Sequence, residues 1–213
     1  MHKMGERTVR LVEKRNGGLR VEIEPAAAVV LTAWLLTDRS WLCIAALLAA
    51  GVHELGHLCA ARLLRIPVRK LRLHLLGAGL SLGGAPLSYG AEFLLCAAGP
   101  LSSLLLSALL SPLWGYAVCR QLSCASLLLG LFNLLPVRAF DGGRMLSAAL
   151  SVVCTPEVTD RILSVISGLC LLLLWATAVY FLLRAGDGLS LWCFSMSLLS
   201  RFFTSLKRED FRE

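Results

Sequence analysis

The sequence predicts an all-α polytopic membrane protein of about six transmembrane segments, with a small membrane-associated β-hairpin between the second and third. Three observations lead there. The chain of 213 residues is 57% hydrophobic and only 16% charged, with a mean hydropathy of +0.72. Soluble domains hold about 45–50% apolar and about 25% charged residues. Its apolar residues gather in runs at 41–61, 93–119, 122–136 and 162–183, and about 20 such residues cross a bilayer as a helix. Lys and Arg collect in alternate connections between these runs, the asymmetry that marks a cytoplasmic face.

Taken in order, residues 1–24 form a charged N-terminal tail. Asn16-Gly17-Gly18 is a turn signal within it, so 9–12 and 19–23 can pair as a small hairpin, or the tail can lie along the membrane as a basic segment. It opens with mixed charge rather than a short basic region and an apolar core, and so does not read as a signal peptide. Residues 25–204 are expected to form one intramembrane domain and 205–213 a short C-terminal tail. Pro25 opens an apolar segment, 26–36, that is short for a span; Trp34 and Trp41 bracket the polar turn 37–40 as interfacial anchors.

The next run has no proline and should be helical to about Leu64. Arg62, Arg65, Arg69, Lys70 and Arg72 then form a second basic connection, and Pro67 breaks the helix. Residues 68–82 alternate basic and apolar positions between glycine pairs, the period-two pattern of a hairpin or re-entrant loop. In the run 93–119, Gly99-Pro100 predicts a kink. Ala97, Ala98, Ser102 and Ser103 beside it suit close helix packing. The segment 122–136 ends at Pro136, 162–183 is a further uncharged span, and 188–200 is apolar but short. Six segments with both termini cytoplasmic satisfy every connection.

The net charge of +7 sits beside apolar segments, which points to anionic lipid rather than nucleic acid. The cysteines are scattered without a C-x-x-C pair and read as small hydrophobes.

The chemistry centres on His53-Glu54-Leu55-Gly56-His57. On a helix, residues four apart share a face, so His53 and His57 can offer two imidazoles to one metal ion. Glu54 projects nearby as a general base for water. Ionisable groups in a segment otherwise suited to hydrocarbon are costly, which makes the cluster a functional site by default. A catalytic zinc usually has a third protein ligand. The acids available are Glu92, Asp141, Glu157 and Asp160. Asp141 stands among helix breakers that can aim it inward, and it reads equally well as an ordinary turn aspartate before Gly-Gly. His74 lies on the alternating segment; it could supply a third ligand, but a lone His on such a strand reads more simply as solvated.

His53-Glu54-Leu55-Gly56-His57 together with Asn133-x-x-Pro136-x-x-x-x-Asp141-Gly142 resembles the site-2 protease family (peptidase M50) of intramembrane zinc metalloproteases. Gly99-Pro100, preceded by Glu92, looks like that family's middle Gly-Pro segment. The short chain, without an inserted PDZ domain, is most similar to the stage IV sporulation factor FB branch. The resemblance covers roughly residues 23–184. It implies zinc held by His53, His57 and Asp141, with Glu54 as general base. It also implies that Asn133 and the 68–86 hairpin hold an unwound substrate segment.

The implied partner is a transmembrane or membrane-associated protein cut near the cytoplasmic face. A sporulation sigma-factor precursor would fit, with membrane regulator subunits; clearing signal-peptide remnants fits the residues equally well. In two respects the sequence departs from the pattern: Ser103 stands where the family often has Asn after Gly-Pro, and no CBS domain follows the last apolar stretch. A competing reading is a non-hydrolytic membrane metal-binding protein, a permease or sensor, which would use the histidines and Asp141 but not Glu54 as a base.

Overall fold

The proline-free run after Trp41 folds as helix α1, Leu42–Leu63, in a computed structural model that describes residues 9–10, 20–23, 41–74, 77–82, 87–185, 196 and 199. Its C-terminus shows why the chain turns among arginines. The N–H of Ile66 donates to the carbonyl of Ala61 at 2.8 Å, and that of Arg65 to Arg62 at 3.1 Å. This pair of bonds is a Schellman stop. Arg65 takes the left-handed position, φ 55°, where glycine is usual, and Pro67 prevents continuation. Ile66 packs back on Ala61 and against Leu95, the apolar contact that accompanies such a stop.

Four strands flank this helix in sequence: β1 (Val9–Arg10), β2 (Arg20–Ile23), β3 (Val68–His74) and β4 (Gly77–Leu82). They form one sheet in the order β1-β2-β3-β4. β3 and β4 pair antiparallel from His74↔Gly77 to Val68↔Leu82, with a register shift between Val68 and Lys70. β1 pairs antiparallel with β2, while β2 pairs parallel with β3, Arg20 opposite Lys70. A parallel pair needs a long crossover, and no local pattern in the sequence announces it.

Helix α2, Tyr89–Leu110, starts at Ser88, whose hydroxyl accepts the N–H of Ala91 at 3.3 Å. The sequence predicts one kinked span over 93–119, and the structure corrects this. The helix stops at Leu110, a 3-10 turn covers Ser111–Leu113, and a separate helix α3 runs Ala117–Asn133. Pro112 has no N–H to give the carbonyl of Ala108; the hydroxyl of Ser111 donates to it instead at 2.8 Å. α2 and α3 are held as a hairpin by buried hydroxyls. Ser123 donates to the carbonyl of Ser107 at 3.0 Å, meets the Ser107 hydroxyl at 3.1 Å, and accepts the indole N–H of Trp114 at 3.0 Å.

The chain divides after Asn133. The second unit holds α4, Asp141–Leu150, and α5, Pro156–Ala185. Among the described residues, three helical stretches are long and apolar enough to cross a membrane: α1, α2 extended to Leu113, and α5 up to Arg184, with α3 a shorter apolar helix. At 22 residues, α1 is about 33 Å long, against a hydrocarbon core of about 30 Å. Exposed leucines such as Leu48 on α1, Leu105 on α2 and Leu173 on α5 suit a lipid surrounding. The other segments of the expected six, 26–36 and most of 188–200, lie outside the described residues. Among the described residues no disulfide joins the cysteines.

Candidate metal centre

His53 and His57 lie on the buried face of α1, 4% and 7% exposed. Their Nε2 atoms approach to 3.2 Å and the rings meet edge to face. What orients them comes from α2. The Nδ1 of His57 lies 2.8 Å from the carbonyl oxygen of Leu95. A carbonyl only accepts, so that nitrogen carries the proton and the Nε2 presents a lone pair. The Nδ1 of His53 lies 3.0 Å from the hydroxyl of Ser103, which can accept in the same way. A partner on one ring nitrogen is what fixes the other as a metal ligand.

The close approach of the two helices has a local cause. A Cβ on Gly56 would come within 2.5 Å of the Ala98 carbonyl oxygen and the Ser102 hydroxyl. Ser102 in turn donates to the carbonyl of Val52 at 3.1 Å. Leu95, Gly99 and Ser103 step along α2 at intervals of four and meet the histidine pair with the same spacing. Gly99 is the middle step: a Cβ there would collide with Nε2 of His57 and lie 2.7 Å from Nε2 of His53. Glycine thus keeps open the space in front of both lone pairs. When both Nδ1 atoms act as donors, the two Nε2 lone pairs point into the same space, and that pair of donors fits a metal ion. Glu54, next to His53, is half-buried on the same helix.

Asn133 is the last residue of α3, and its amide nitrogen donates to the carbonyl of Leu129 at 3.0 Å.

In the second unit Asp141 is the first residue of α4, where its charge is favoured by the helix dipole. The glycines after it are not turn glycines. Both lie in the helix, and a Cβ on Gly142 would strike the carbonyl of Leu134, one on Gly143 that of Val137. The segment after Asn133 folds back over this first turn. It is pinned to α5 by the Arg138 amide donating to Ser167 at 3.1 Å. The Arg138 guanidinium reaches the Asp160 carbonyl at 2.7 Å and Ser164 at 2.8 Å. Asp141 is therefore held at one place within its unit by the helix start, the glycine contacts and these bonds.

The sequence marks Ser103 as a packing residue and as a departure from the family's Asn, but not as the partner of His53; the Leu95 carbonyl, a main-chain group, leaves no signal in residue identity.

Comparison with known proteins bears on this arrangement. The profile of Peptidase family M50 matches residues 113–176, a stretch that contains Asn133 and Asp141. Rip3 from Mycobacterium tuberculosis is 38% identical over 129 residues, 55% of this chain and 32% of that protein. Zinc metalloprotease MJ0392 from Methanocaldococcus jannaschii is 33% identical over 121 residues, 52% of this chain and 35% of that protein. The chain is thus similar to peptidase M50 over residues 113–176 and to proteins named as zinc metalloproteases over about half of its length. The chain spans about a third of the length of these relatives. The solved structure of the site-2 protease from Methanocaldococcus jannaschii shares the fold, with a TM-score of 0.63 at 24% identity, over 90% of this chain and 92% of that one. Zinc is the metal that the similarity to zinc metalloproteases and the histidine donors of α1 both indicate.

Proposed function

We propose that the chain is an intramembrane zinc endopeptidase that hydrolyses a peptide bond of a membrane-embedded or membrane-tethered protein near the cytoplasmic face. The observation that carries this reading is the histidine pair of α1. Its two Nε2 atoms converge at 3.2 Å with both Nδ1 atoms engaged from α2, and Glu54 adjoins them in sequence.

In this reading His53, His57 and Asp141 hold the ion, a donor set of two imidazoles and one carboxylate like that of catalytic zinc sites. The chemistry supplied by zinc, when bound, is polarisation of the scissile carbonyl and acidification of water. Glu54 takes the proton of the attacking water and returns it to the leaving amine. Asn133 and the β3–β4 pair hold the substrate in an extended form, since a helix hides its carbonyls in hydrogen bonds. Edge pairing would satisfy the backbone groups freed by unwinding, which are costly in lipid.

Arg62 stands five and nine residues beyond His57 and His53, or about 8–14 Å along the axis. That spacing supports cleavage close to the basic end of α1, the side read as cytoplasmic. Six spans with both termini on that side complete the topology. A sigma-factor precursor of the sporulation type, with membrane regulators, is the substrate class that the FB-branch resemblance favours.

The test uses the full chain, co-expressed in a bacterium with single-span reporters whose spans carry helix-weakening residues. Wild type should cleave one or more near the cytoplasmic end. Glu54→Gln should lose about 10²–10⁴-fold in rate and retain its zinc. A zinc-loaded wild type that cleaves none of them, or a Glu54→Gln variant as active as wild type, would overturn the reading.

A further inference from the structure

The two histidines are oriented by partners of different kinds. The partner of His57 is a main-chain carbonyl, that of Leu95, which no side-chain change removes. The partner of His53 is one side-chain hydroxyl, Ser103, at 3.0 Å. Ser103 is fully buried, and a hydroxyl buried without a partner costs about 1–3 kcal/mol; the imidazole satisfies it. We infer that Ser103 is a positioning residue for His53: its hydroxyl accepts the Nδ1 proton and so aims the Nε2 lone pair at the metal position. The inference rests on the metal-site reading above.

The geometry assigns this role to Ser103 rather than to its neighbours. Ser102 spends its hydroxyl on the main chain, donating to Val52 at 3.1 Å and to Gly99 at 2.7 Å. Ser107, one turn further along α2, is also buried, and its hydroxyl pairs with Ser123. Only Ser103 of these three meets a ligand nitrogen. Removing its oxygen leaves the His53 ring without the contact that selects its tautomer and its rotation about the Cβ–Cγ bond. The contact between Gly99 and the rings then acts on a ring free to turn.

The experiment measures Zn²⁺ and Co²⁺ binding to the purified full chain in detergent. It compares wild type, Ser103→Ala, Ser103→Thr and Ser107→Ala, with the Co²⁺ ligand-field spectrum as a second readout. Ser103→Ala should bind metal about 10–100-fold more weakly and change the Co²⁺ spectrum. In the presence of chelator it should still unfold cooperatively, a few degrees below wild type, because the buried His53 N–H loses its acceptor. Ser103→Thr, which keeps the hydroxyl, should recover affinity and spectrum. Ser107→Ala should leave both unchanged. A Ser103→Ala variant with wild-type affinity and spectrum overturns the inference, and so does a Ser107→Ala variant weakened to the same degree, because the effect would then be general packing. A wild-type chain that takes up neither ion overturns the metal site and this inference with it. Metal uptake that depends on Ser103 in a chain without peptidase activity supports the inference while the protease reading falls.

Discussion

Gly99 of α2 faces His57 of α1 so closely that a Cβ on the glycine would collide with the Nε2 atom of the imidazole. The same Cβ would crowd His53. The glycine is thus needed for the space in front of the two nitrogens, not for an unusual backbone angle, since it lies inside a helix.

Gly99→Ala should therefore separate folding from metal binding. Alanine in a helix is favoured over glycine by about 1 kcal/mol, so α2 should form at least as readily. The methyl group, however, would stand where the lone pairs converge. Zinc per chain, measured after purification and dialysis, should fall from about one, the content of a single such site, to near zero. The helical circular dichroism should stay unchanged. Full zinc occupancy in the variant would mean that the ion, if bound, sits elsewhere.

Asp141→Ala tests the third ligand. If Asp141 completes the site, the variant should lose zinc or bind it far more weakly, with His53 and His57 unaltered on α1. Asp141→Asn keeps a polar group at the start of α4 but removes the charge, and should fall between the two. Equal zinc content in wild type and both variants would return Asp141 to the ordinary first-turn aspartate that the sequence also allowed.

The parts that were legible in the sequence are those written in residue type and period. Helix α1 follows from an apolar, proline-free run, and the convergence of His53 with His57 from their spacing. The close packing at Gly56 and Gly99 was announced by the small residues around Gly99-Pro100. What could not be read is set by partners distant in the chain or by main-chain atoms. The Leu95 carbonyl that orients His57 leaves no trace in residue identity. The parallel pairing of β2 with β3 depends on a crossover that no local pattern encodes. The stop at Leu110 was overlooked because 93–119 lacks charge, although Pro112 and Gly115 lie in it. The glycines after Asp141 suggested a turn, whereas the structure uses them inside a helix, where loop carbonyls lie against them.

Ser123→Ala should loosen the α2–α3 hairpin without touching the histidines. The substitution removes the acceptor of the Trp114 indole N–H and of the Ser107 hydroxyl. The buried Ser107 hydroxyl left without a partner costs about 1–3 kcal/mol, the exposed Trp114 indole less. Thermal unfolding in detergent should begin several degrees lower, and Trp114 fluorescence should shift, while zinc affinity stays as in wild type. An unchanged unfolding profile would show that these groups find other partners.

Gly143→Ala should weaken metal binding without removing any ligand. Its methyl group would strike the carbonyl of Val137 and lie 2.8 Å from the amide nitrogen of Arg138. These are main-chain atoms and cannot swing aside. Nor can the segment drift freely, because Arg138 is tied to Ser167, Ser164 and the Asp160 carbonyl and forms an ion pair with Asp160 at 3.2 Å. Overpacking of this kind costs about 1–3 kcal/mol, more than the roughly 1 kcal/mol that alanine brings to a helix. The start of α4 must shift, and Asp141 with it. Gly115→Ala is the control, since nothing lies within 4 Å of a Cβ at that position. Gly143→Ala is expected to lower both unfolding temperature and zinc affinity, and Gly115→Ala neither. If Gly143→Ala lowers stability while zinc affinity holds, the placement of Asp141 does not govern the ion, and the third ligand must be sought elsewhere.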